Sequence, residues 1–187
     1  MSKVVTGKVR FSYVHVFEPT AIGDKGEKKY NMAVLIDKND KVTLDKINAA
    51  IIETKMSKKS EWCKTQGGKD VWPKIETCLR DGDIDKPDDP NYAGCYFINA
   101  RSSRKPGLVD KQLQEVIDPS MIYSGCYGRV QLSFFPYDFM GKKGIGAGLD
   151  NIQTFNEGEP LGGGFERAED VFNDGAFGDD TAIDPGF

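Results

Sequence analysis

The chain has 187 residues, of which 39% are hydrophobic and 29% are charged; this suits one compact domain with a tail and is too short for two full-sized domains. The formal net charge of −4 gives no indication that the chain as a whole is a cationic nucleic-acid-binding protein. Because no run of about 18 apolar residues occurs and the first residues lack the apolar segment of a signal peptide, we expect a cytoplasmic protein without membrane contact.

The charge is divided unequally along the chain. Residues 157–187 hold nine acidic residues and one arginine, a balance of −8, which leaves +4 for residues 1–156. We therefore predict a basic domain over 1–156 followed by an acidic C-terminal tail over 157–187. Glycine and acidic residues dominate this tail, so it cannot bury enough apolar surface to offset its ordering entropy, and we predict that it is disordered.

The chain opens with two predicted strands. Residues 4–17 are rich in β-branched and aromatic side chains, which predicts a long strand that ends at Pro19. A turn containing glycine, at 22–26, precedes a second predicted strand over 28–37. Because the two strands are so close in sequence, we expect them to pair as a hairpin.

The hydrophobic period then changes from two to about 3.6 residues. The apolar residues at this spacing are Leu44, Ile47 and Ile51. They predict one main helix over about 41–56, with its N-cap in the pair Asn39–Asp40. Residues 57–92 are polar and contain both tryptophans, Trp62 and Trp72. We interpret them as a loop insertion.

Strand character returns in the last part of the domain, at 94–102 and at 121–139. The second of these segments contains two predicted breaks, at Gly125 and Pro136. A glycine turn over 141–144 is expected to lead into a last strand near 145–155. Many short strands with one helix predict a mainly β fold, a small barrel rather than a parallel α/β sheet.

No complete catalytic motif is found. The single histidine, His15, lies in a predicted strand with no nucleophile motif near it. The four cysteines are widely spaced without a Cys-x-x-Cys pair, so we expect reduced thiols rather than a zinc site. The glycines of 144–148 fall short of a phosphate-binding motif and are interpreted as a turn. We therefore expect no catalytic residue, no metal and no cofactor.

An acidic stretch over 81–89 supports an alternative function. It begins like a calcium-binding loop, but Lys86 and Tyr92 stand where glycine and glutamate are required. A solvated acidic loop is the preferred interpretation. A carboxylate metal-dependent nuclease or nuclease subunit remains the alternative, because such enzymes need clustered acidic residues.

Basic and aromatic residues are interleaved on the predicted strands, which is typical of single-stranded nucleic-acid binding because cations neutralise phosphates and rings stack on bases. Alternation places Lys8 and Arg10 on the face of the first strand opposite Phe11. From composition alone, the same aromatic residues fit an ordinary barrel core equally well. The candidate DNA-binding residues are Lys8, Arg10, Tyr13, Lys28, Lys29, Tyr30, Tyr96, Arg101, Arg104, Lys105, Arg129, Phe135 and Tyr137.

Five strings in order resemble phage-encoded single-stranded DNA-binding proteins first catalogued as a family of unknown function. The strings are VRFSYVHVFEP (9–19), YNMAVLIDKND (30–40), NARSSRKPGLVD (99–110), YSGCYGRVQLSFFPYD (123–138) and GIGAGLDNIQ (144–153). The resemblance implies an OB-fold, a five-stranded Greek-key barrel, that binds single-stranded DNA without sequence preference in phage replication, recombination or repair. It implies no catalytic residues and a location in the host cytoplasm. A phage assembly protein with a barrel domain is a third hypothesis.

The end of the chain resembles the acidic tails of bacterial and phage single-stranded DNA-binding proteins, which finish in phenylalanine. Here the acidic residues Asp179, Asp180 and Asp184 precede Phe187, with Gly186 as a departure from the bacterial pattern. A terminal carboxylate beside an aromatic ring is a compact recognition unit. The resemblance implies docking of a replication or recombination protein (polymerase, helicase or nuclease), and a solubilising tail is the alternative. We also carry a homodimer as a partner hypothesis.

Overall fold

A computed structural model describes residues 1–22 and 26–161. Strands dominate these residues. The strands are β1 (Ser2–Val5), β2 (Val9–Ala21), β3 (Lys28–Asp37), β4 (Lys64–Gln66), β5 (Lys69–Val71), β6 (Ile75–Thr77), β7 (Leu79–Asp81), β8 (Cys95–Ser102), β9 (Gly107–Val109), β10 (Tyr127–Phe139) and β11 (Lys142–Thr154). The α-helices are α1 (Lys41–Ser57), α2 (Lys59–Trp62) and α3 (Gly82–Asp85), with 3-10 turns at Pro90–Tyr92 and Pro119–Met121.

Five strands form a closed ring in the order β2, β3, β8, β11, β10, and β10 pairs with both β11 and β2 to close it. The neighbours are antiparallel except β8 and β11, which are parallel. This is the strand order of an OB-fold barrel and confirms the predicted fold class. Strands β1, β6, β7 and β9 extend the barrel sheet, whereas β4 and β5 form a separate ribbon.

The interior of the barrel is filled by alternate residues of the five strands, because successive side chains of a strand point to opposite faces. The largest of these fully buried side chains include Phe11, Met32, Ile36, Ile98, Leu132, Phe134, Ile145, Leu149 and Ile152. Helix α1 packs its apolar side into the same core. Its N-cap is Asp40, which accepts a hydrogen bond from the backbone N–H of Thr43 at 3.1 Å, so the predicted helix is confirmed.

The first predicted strand, over 4–17, is wrong in extent, because two strands occupy it. Between β1 and β2, Thr6 accepts a hydrogen bond from the backbone N–H of Val130 at 3.1 Å through its hydroxyl, so this side-chain contact holds the connection on β10. Pro19 does not end β2. It lies where the β2–β3 register shifts, between the paired residues His15 and Thr20, and a proline is tolerated there because no ladder hydrogen bond is required of it.

Two predictions near the end of the domain are also wrong, the strand break at Pro136 and the turn over 141–144. Pro136 lies inside β10 and pairs with Ile145 of β11; the pairing of β10 with β1 ends at Phe134, so its missing N–H faces an unpaired edge. The turn expected over 141–144 is a two-residue turn at Met140 and Gly141, whose φ angles are 51° and 80°. Residues 144–148 therefore lie in strand β11 rather than in a turn.

The insertion over 57–92 is partly built into the barrel. Strand β6 pairs in parallel with β11, and β7 pairs with β8. Trp62 is buried in the main core, and Trp72 is half-buried with Lys55 Nζ 4.6 Å from its ring centroid. The insertion thus carries one wall of the groove described below.

Candidate nucleic-acid interface

Two adjoining clefts run across the outer surface of the barrel and share Asn99 and Arg101 of β8. In the β3–β8 ladder Arg101 lies opposite Asn31, and Asn99 lies opposite Ala33. We call the joined clefts the groove. Its first part is lined by Lys29, Arg80, Phe135 and Tyr137, among others, and its second part by Tyr13, His15 and Asn31.

Glycines of β11 make room for the aromatic rings of the groove. Phe135 lies opposite Gly146, and Tyr137 lies opposite Gly144. A Cβ atom at Gly146 would lie 2.6 Å from Cζ of Phe135, and one at Gly144 would collide with the Tyr137 ring. The rings therefore lean across β11 over positions without side chains, with Phe135 37% exposed.

The two arginines of the groove are not paired with a carboxylate within the described residues. Arg80 and Arg101 make no ion pair with any residue of 1–22 or 26–161, and Lys29 makes only a 3.7 Å contact with exposed Glu27. One acidic residue, Glu76, also lines the groove. Burial raises the pKa of the Cys78 thiol in the groove wall to about 11, so this thiol adds no negative charge at neutral pH.

Tyr13, in the second part of the groove, has a strained backbone conformation. Its φ is 48°, in the left-handed region that bulky residues avoid. The β2–β3 register shifts between Ser12 and His15, which leaves Tyr13 outside the ladder and 57% exposed. Such strain costs on the order of 1–3 kcal/mol and persists only where the surrounding structure enforces it.

Four further candidate residues lie beside the groove, at the ends of β3 and β8. Lys28 and Tyr30 lie on β3 opposite Ala21 and Ser102. Arg104 and Lys105 follow the end of β8, and Lys105 Nζ is 5.8 Å from the ring centroid of Phe17.

The other four candidate residues lie away from the groove. Tyr96 packs against Lys38, whose Nζ is 5.1 Å from the ring centroid. The Nε of Arg129 donates a hydrogen bond to the carbonyl of Thr6 at 3.1 Å. Lys8 and Arg10 lie on another surface, where both approach the ring of Tyr127. The structure therefore separates the candidates that sequence analysis grouped together.

Lys8 and Arg10 bind residues 157–161, which we call the docked segment. Lys8 Nζ binds the Glu157 carboxylate at 2.7 Å, and Arg10 donates to the carbonyl of Glu159 at 2.9 Å. Contact with Lys8, and secondarily with Lys111, holds the pKa of Glu157 below its ordinary value. The segment follows the predicted domain boundary at 156, so contacts of the domain continue to Leu161.

The docked segment is also fixed through backbone groups. Tyr127 N–H donates to the carbonyl of Glu157 at 2.8 Å, and Leu161 N–H donates to the carbonyl of Ser124 at 2.8 Å. The hydroxyl of Tyr123 donates to the carbonyl of Gly158 at 2.7 Å. Leu161 packs against the small cluster of Leu35, Tyr92 and Phe97.

Comparison with known proteins identifies the relatives of this barrel. The family model described as "Enterobacter phage Enc34, ssDNA-binding protein" matches residues 2–182. The chain belongs to this family. A curated relative, "Putative protein p50" of Acyrthosiphon pisum secondary endosymbiont phage 1, is 30% identical over 181 residues, covering 92% of this chain and 93% of that protein. The resemblance found in the sequence is thereby confirmed.

Solved structures agree with this family. The single-stranded DNA-binding protein of bacteriophage Enc34, solved in complex with ssDNA, superposes with a TM-score of 0.69 and 30% identity over 86% of this chain and 89% of that one. The single-stranded DNA-binding protein gp2.5 of bacteriophage T7 has a TM-score of 0.60 at 13% identity, covering 89% of this chain and 98% of that one, and shows the shared fold only.

In this member of the Enc34 family the acidic stretch binds a lysine. Lys38 Nζ lies 2.7 Å from a carboxylate oxygen of Asp81 and 2.7 Å from one of Asp83. The hydrogen bond from Lys38 lowers the pKa of Asp83, and the two carboxylates raise the pKa of Lys38. Asp83 also accepts from the backbone N–H of Gly94 at 3.0 Å. These acidic residues hold the end of β3 against the insertion.

Two absences apply to the part of the chain that the structure describes. Within 1–22 and 26–161 no group of three or more His, Cys, Asp or Glu side chains is placed to hold a metal ion. No helix in these residues is long and apolar enough to cross a membrane.

The lining residues that were not predicted from the sequence include Asn31, Asn99 and Arg80. The alternation of β8 puts Asn99 on the same face as Arg101, so it could have been found from the strand period. Arg80 gave no such signal, because its position depends on β7 joining the barrel sheet from within the insertion. The candidate partner-binding residues Asp179, Asp180, Asp184 and Phe187 lie outside the described residues.

Proposed function

We propose that this chain binds single-stranded DNA along the groove without sequence preference. The observation that carries the proposal is that Arg80 and Arg101, which have no ion-pair partner within the described residues, lie beside the exposed rings of Phe135 and Tyr13 and the half-buried ring of Tyr137. Arginine neutralises phosphates, and rings stack on any base, at about 1–3 kcal/mol per base. Neither contact depends on base identity, which supports binding without sequence preference. The Enc34 relative was solved with ssDNA.

The proposal is tested by titrating fluorescently labelled oligo-dT and a duplex of equal length at two salt concentrations. We expect preference for the single strand and a linear fall of log affinity with log salt, because bound cations release condensed counterions. Equal affinity for the two DNAs, or affinity independent of salt, would refute it.

We propose that the chain acts by binding DNA rather than as an enzyme, in phage DNA replication, recombination or repair within the host cytoplasm. Asp81 and Asp83 are engaged by Lys38, which weakens the case for the alternative, a metal-dependent nuclease. A gel assay with labelled single-stranded and duplex DNA in magnesium or manganese decides between them. Cleavage that is abolished by Asp83→Asn would establish the nuclease instead.

The acidic tail is proposed to compete with DNA for the groove. Leu161 packs on Leu35 and Phe97. These two residues pair with each other in the β3–β8 ladder, two positions from the pair Ala33–Asn99 and on the same face of the sheet, and Ala33 and Asn99 line the groove. Residues 162–187 therefore begin at one end of the groove, and they carry seven acidic residues and one arginine. Their composition predicts an unstructured chain, for which 26 residues give a root-mean-square reach of about 28 Å.

The end of the tail is proposed to recruit a polymerase, helicase or nuclease through Phe187 and the acidic residues Asp179, Asp180 and Asp184. Deleting Phe187 alone removes the ring but no side-chain charge. We expect oligo-dT affinity to stay within twofold while capture of the partner is lost. Capture of the partner that survives deletion of Phe187 would refute the docking role. The homodimer is tested separately, by sedimentation velocity of the full chain in the same preparation.

A further inference from the structure

The hairpin of β10 and β11 ends in two exposed apolar side chains that the groove does not use. Phe139 is 68% exposed and Met140 is 89% exposed. Phe139 pairs with Lys142, and Met140 and Gly141 form the turn between them. We call residues 139–142 the hairpin tip. Large apolar side chains at this exposure are placed where they cannot contribute to the core.

The turn residue is a poor choice for stability. Met140 and Gly141 both have positive φ, as in a type I′ turn, where asparagine followed by glycine is strongly preferred. Methionine at φ 51° is strained, because its Cβ approaches the following carbonyl. The sequence therefore places an apolar side chain at the outermost point of the hairpin at a cost in stability.

The hairpin is anchored to the barrel immediately below the tip. Lys143 Nζ binds the Asp138 carboxylate across the hairpin at 2.6 Å and lies 6.0 Å from the ring centroid of buried Trp62. Strand β6 pairs in parallel with β11 from Lys143 to Ile145. These contacts fix the hairpin immediately below the turn, so the position of the tip is set by the fold.

The tip continues the line of the groove. Phe135, Tyr137 and Phe139 are alternate residues of β10, which places them on one face at intervals of about 7 Å. Phe135 and Tyr137 line the groove, so Phe139 is the next ring along the same row. Lys142 beside it is exposed and makes no ion pair within the described residues.

We propose that the hairpin tip is a wedge for duplex DNA: Phe139 and Met140 enter the terminal base step where a single strand in the groove meets a duplex. Phenylalanine and methionine are residues that proteins insert between base steps to unstack them. The protein then opens forks and frayed ends directly, in addition to binding strands that are already separated. The inference rests on the proposed single-stranded DNA binding.

The experiment follows opening of a forked duplex that carries a fluorophore and a quencher at the junction, with the full-length protein in excess. The variants are Phe139→Ser and Met140→Asn, and the control is Ile117→Ser, at a residue 78% exposed elsewhere on the surface. Met140→Asn creates the preferred Asn-Gly turn, so its melting temperature should equal or exceed that of the wild type. If Met140 had only a structural role, Met140→Asn would not lose fork opening while its melting temperature stayed equal or rose.

We expect each tip variant to slow fork opening at least fivefold while oligo-dT affinity stays within twofold and the control variant behaves as the wild type. Unchanged opening by the variants, no opening by the wild type, or an equal loss on oligo-dT and on the fork would overturn the wedge. Loss of opening together with loss of self-association in sedimentation velocity would assign the tip to a protein interface instead. If the wild type does not bind oligo-dT at all, the proposed function itself is wrong.

Discussion

Two surfaces of this barrel carry the same kinds of residues and use them differently. On the groove, Arg80 and Arg101 have no carboxylate partner within the described residues, and the rings of Phe135 and Tyr137 lie over glycines. Next to the docked segment, Lys8 and Arg10 also lie beside a ring, that of Tyr127. There, however, Lys8 is neutralised by Glu157 and Arg10 is bound to backbone carbonyls.

If the groove is the binding surface, as we propose, a basic residue next to an aromatic residue is not sufficient to make one. What distinguishes the two surfaces is the partner of each cation. A cation that already has a protein carboxylate gains little from a phosphate, because it must first give up that partner. Arg80 and Arg101 have no such partner within the described residues, so on our proposal they can contact a phosphate without giving up a carboxylate.

The largest effect is expected from cutting the chain on either side of the docked segment. Deleting 157–187 removes four hydrogen bonds to backbone or neutral groups of the docked segment, made by Tyr127, Tyr123, Arg10 and Ser124, worth about 2–6 kcal/mol at about 0.5–1.5 each, as well as the exposed Lys8–Glu157 contact. We expect the melting temperature to fall by roughly 5–20 °C. Deleting only 162–187 should leave it unchanged. Equal melting temperatures for the two truncations would show that the segment does not stabilise the domain.

The shorter deletion also tests the competing tail. At low salt it should bind oligo-dT more tightly than the full chain, and at high salt the two should converge, because the Debye length shrinks from about 30 Å at 0.01 M to about 3 Å at 1 M. A stable protein lacking 162–187 that binds no tighter at low salt would refute competition for the groove.

The next effect concerns the cations themselves. Replacing Arg80 and Arg101 together by alanine should weaken oligo-dT binding at least about tenfold and reduce the slope of log affinity against log salt by about 1.4, since each single-strand phosphate contact contributes about 0.7. The matched control is Lys8→Ala, which removes a cation on the other surface and should change affinity less than about twofold. Similar losses in both proteins would erase the distinction between the two surfaces.

A smaller effect tests the glycines beneath the rings. Gly146→Ala adds one methyl group that must displace Phe135, so we expect roughly fivefold weaker oligo-dT binding, near the lower limit for one stacked base. Phe135→Ala should cause a similar loss. The double variant is the control: because both changes remove the same contact, it should be no weaker than either single variant. Additive losses would mean that Gly146 acts elsewhere.

Local pattern was sufficient to predict part of this molecule. Strand β3 and helix α1 were placed within one residue, because alternation and helical periodicity are properties of neighbouring residues. Closure of the barrel could not be predicted so directly. It depends on pairs such as Gly148 with Arg101 and Gly128 with Val9, which are far apart in sequence and leave no local signal.

The residue types of the site could be predicted from the sequence. The contacts that each candidate makes within the protein could not. Arg101, Phe135 and Tyr137 were recognised as the right chemistry and do line the groove, while their contact with DNA stays a prediction. Lys8 and Arg10 have the same chemistry, but their partner lies about 150 positions later in the chain. The glycines of 144–148 resemble a turn in the sequence, because no local pattern shows that rings of the facing strand β10 lie over Gly144 and Gly146.

The smallest effect concerns Glu157, whose charge defines the second surface. Hydrogen bonding to Lys8 lowers the pKa of Glu157 below its ordinary value of 4.5, so the ionised carboxylate stabilises the folded state. This stabilisation is present above pH 4.5 and is lost as the pH falls through the lowered pKa. Glu157→Gln keeps the shape without the charge. Its melting temperature should therefore lie slightly below that of the wild type at pH 7, and the gap should close as the pH falls below 4.5.

Glu159→Gln is the matched control, because Glu159 binds Arg10 through its backbone carbonyl and should show no such gap. Because both partners of the Lys8–Glu157 pair are about half exposed, added salt should reduce the gap at pH 7; a gap that is independent of both pH and salt would mean that the docked segment is held by its backbone contacts alone.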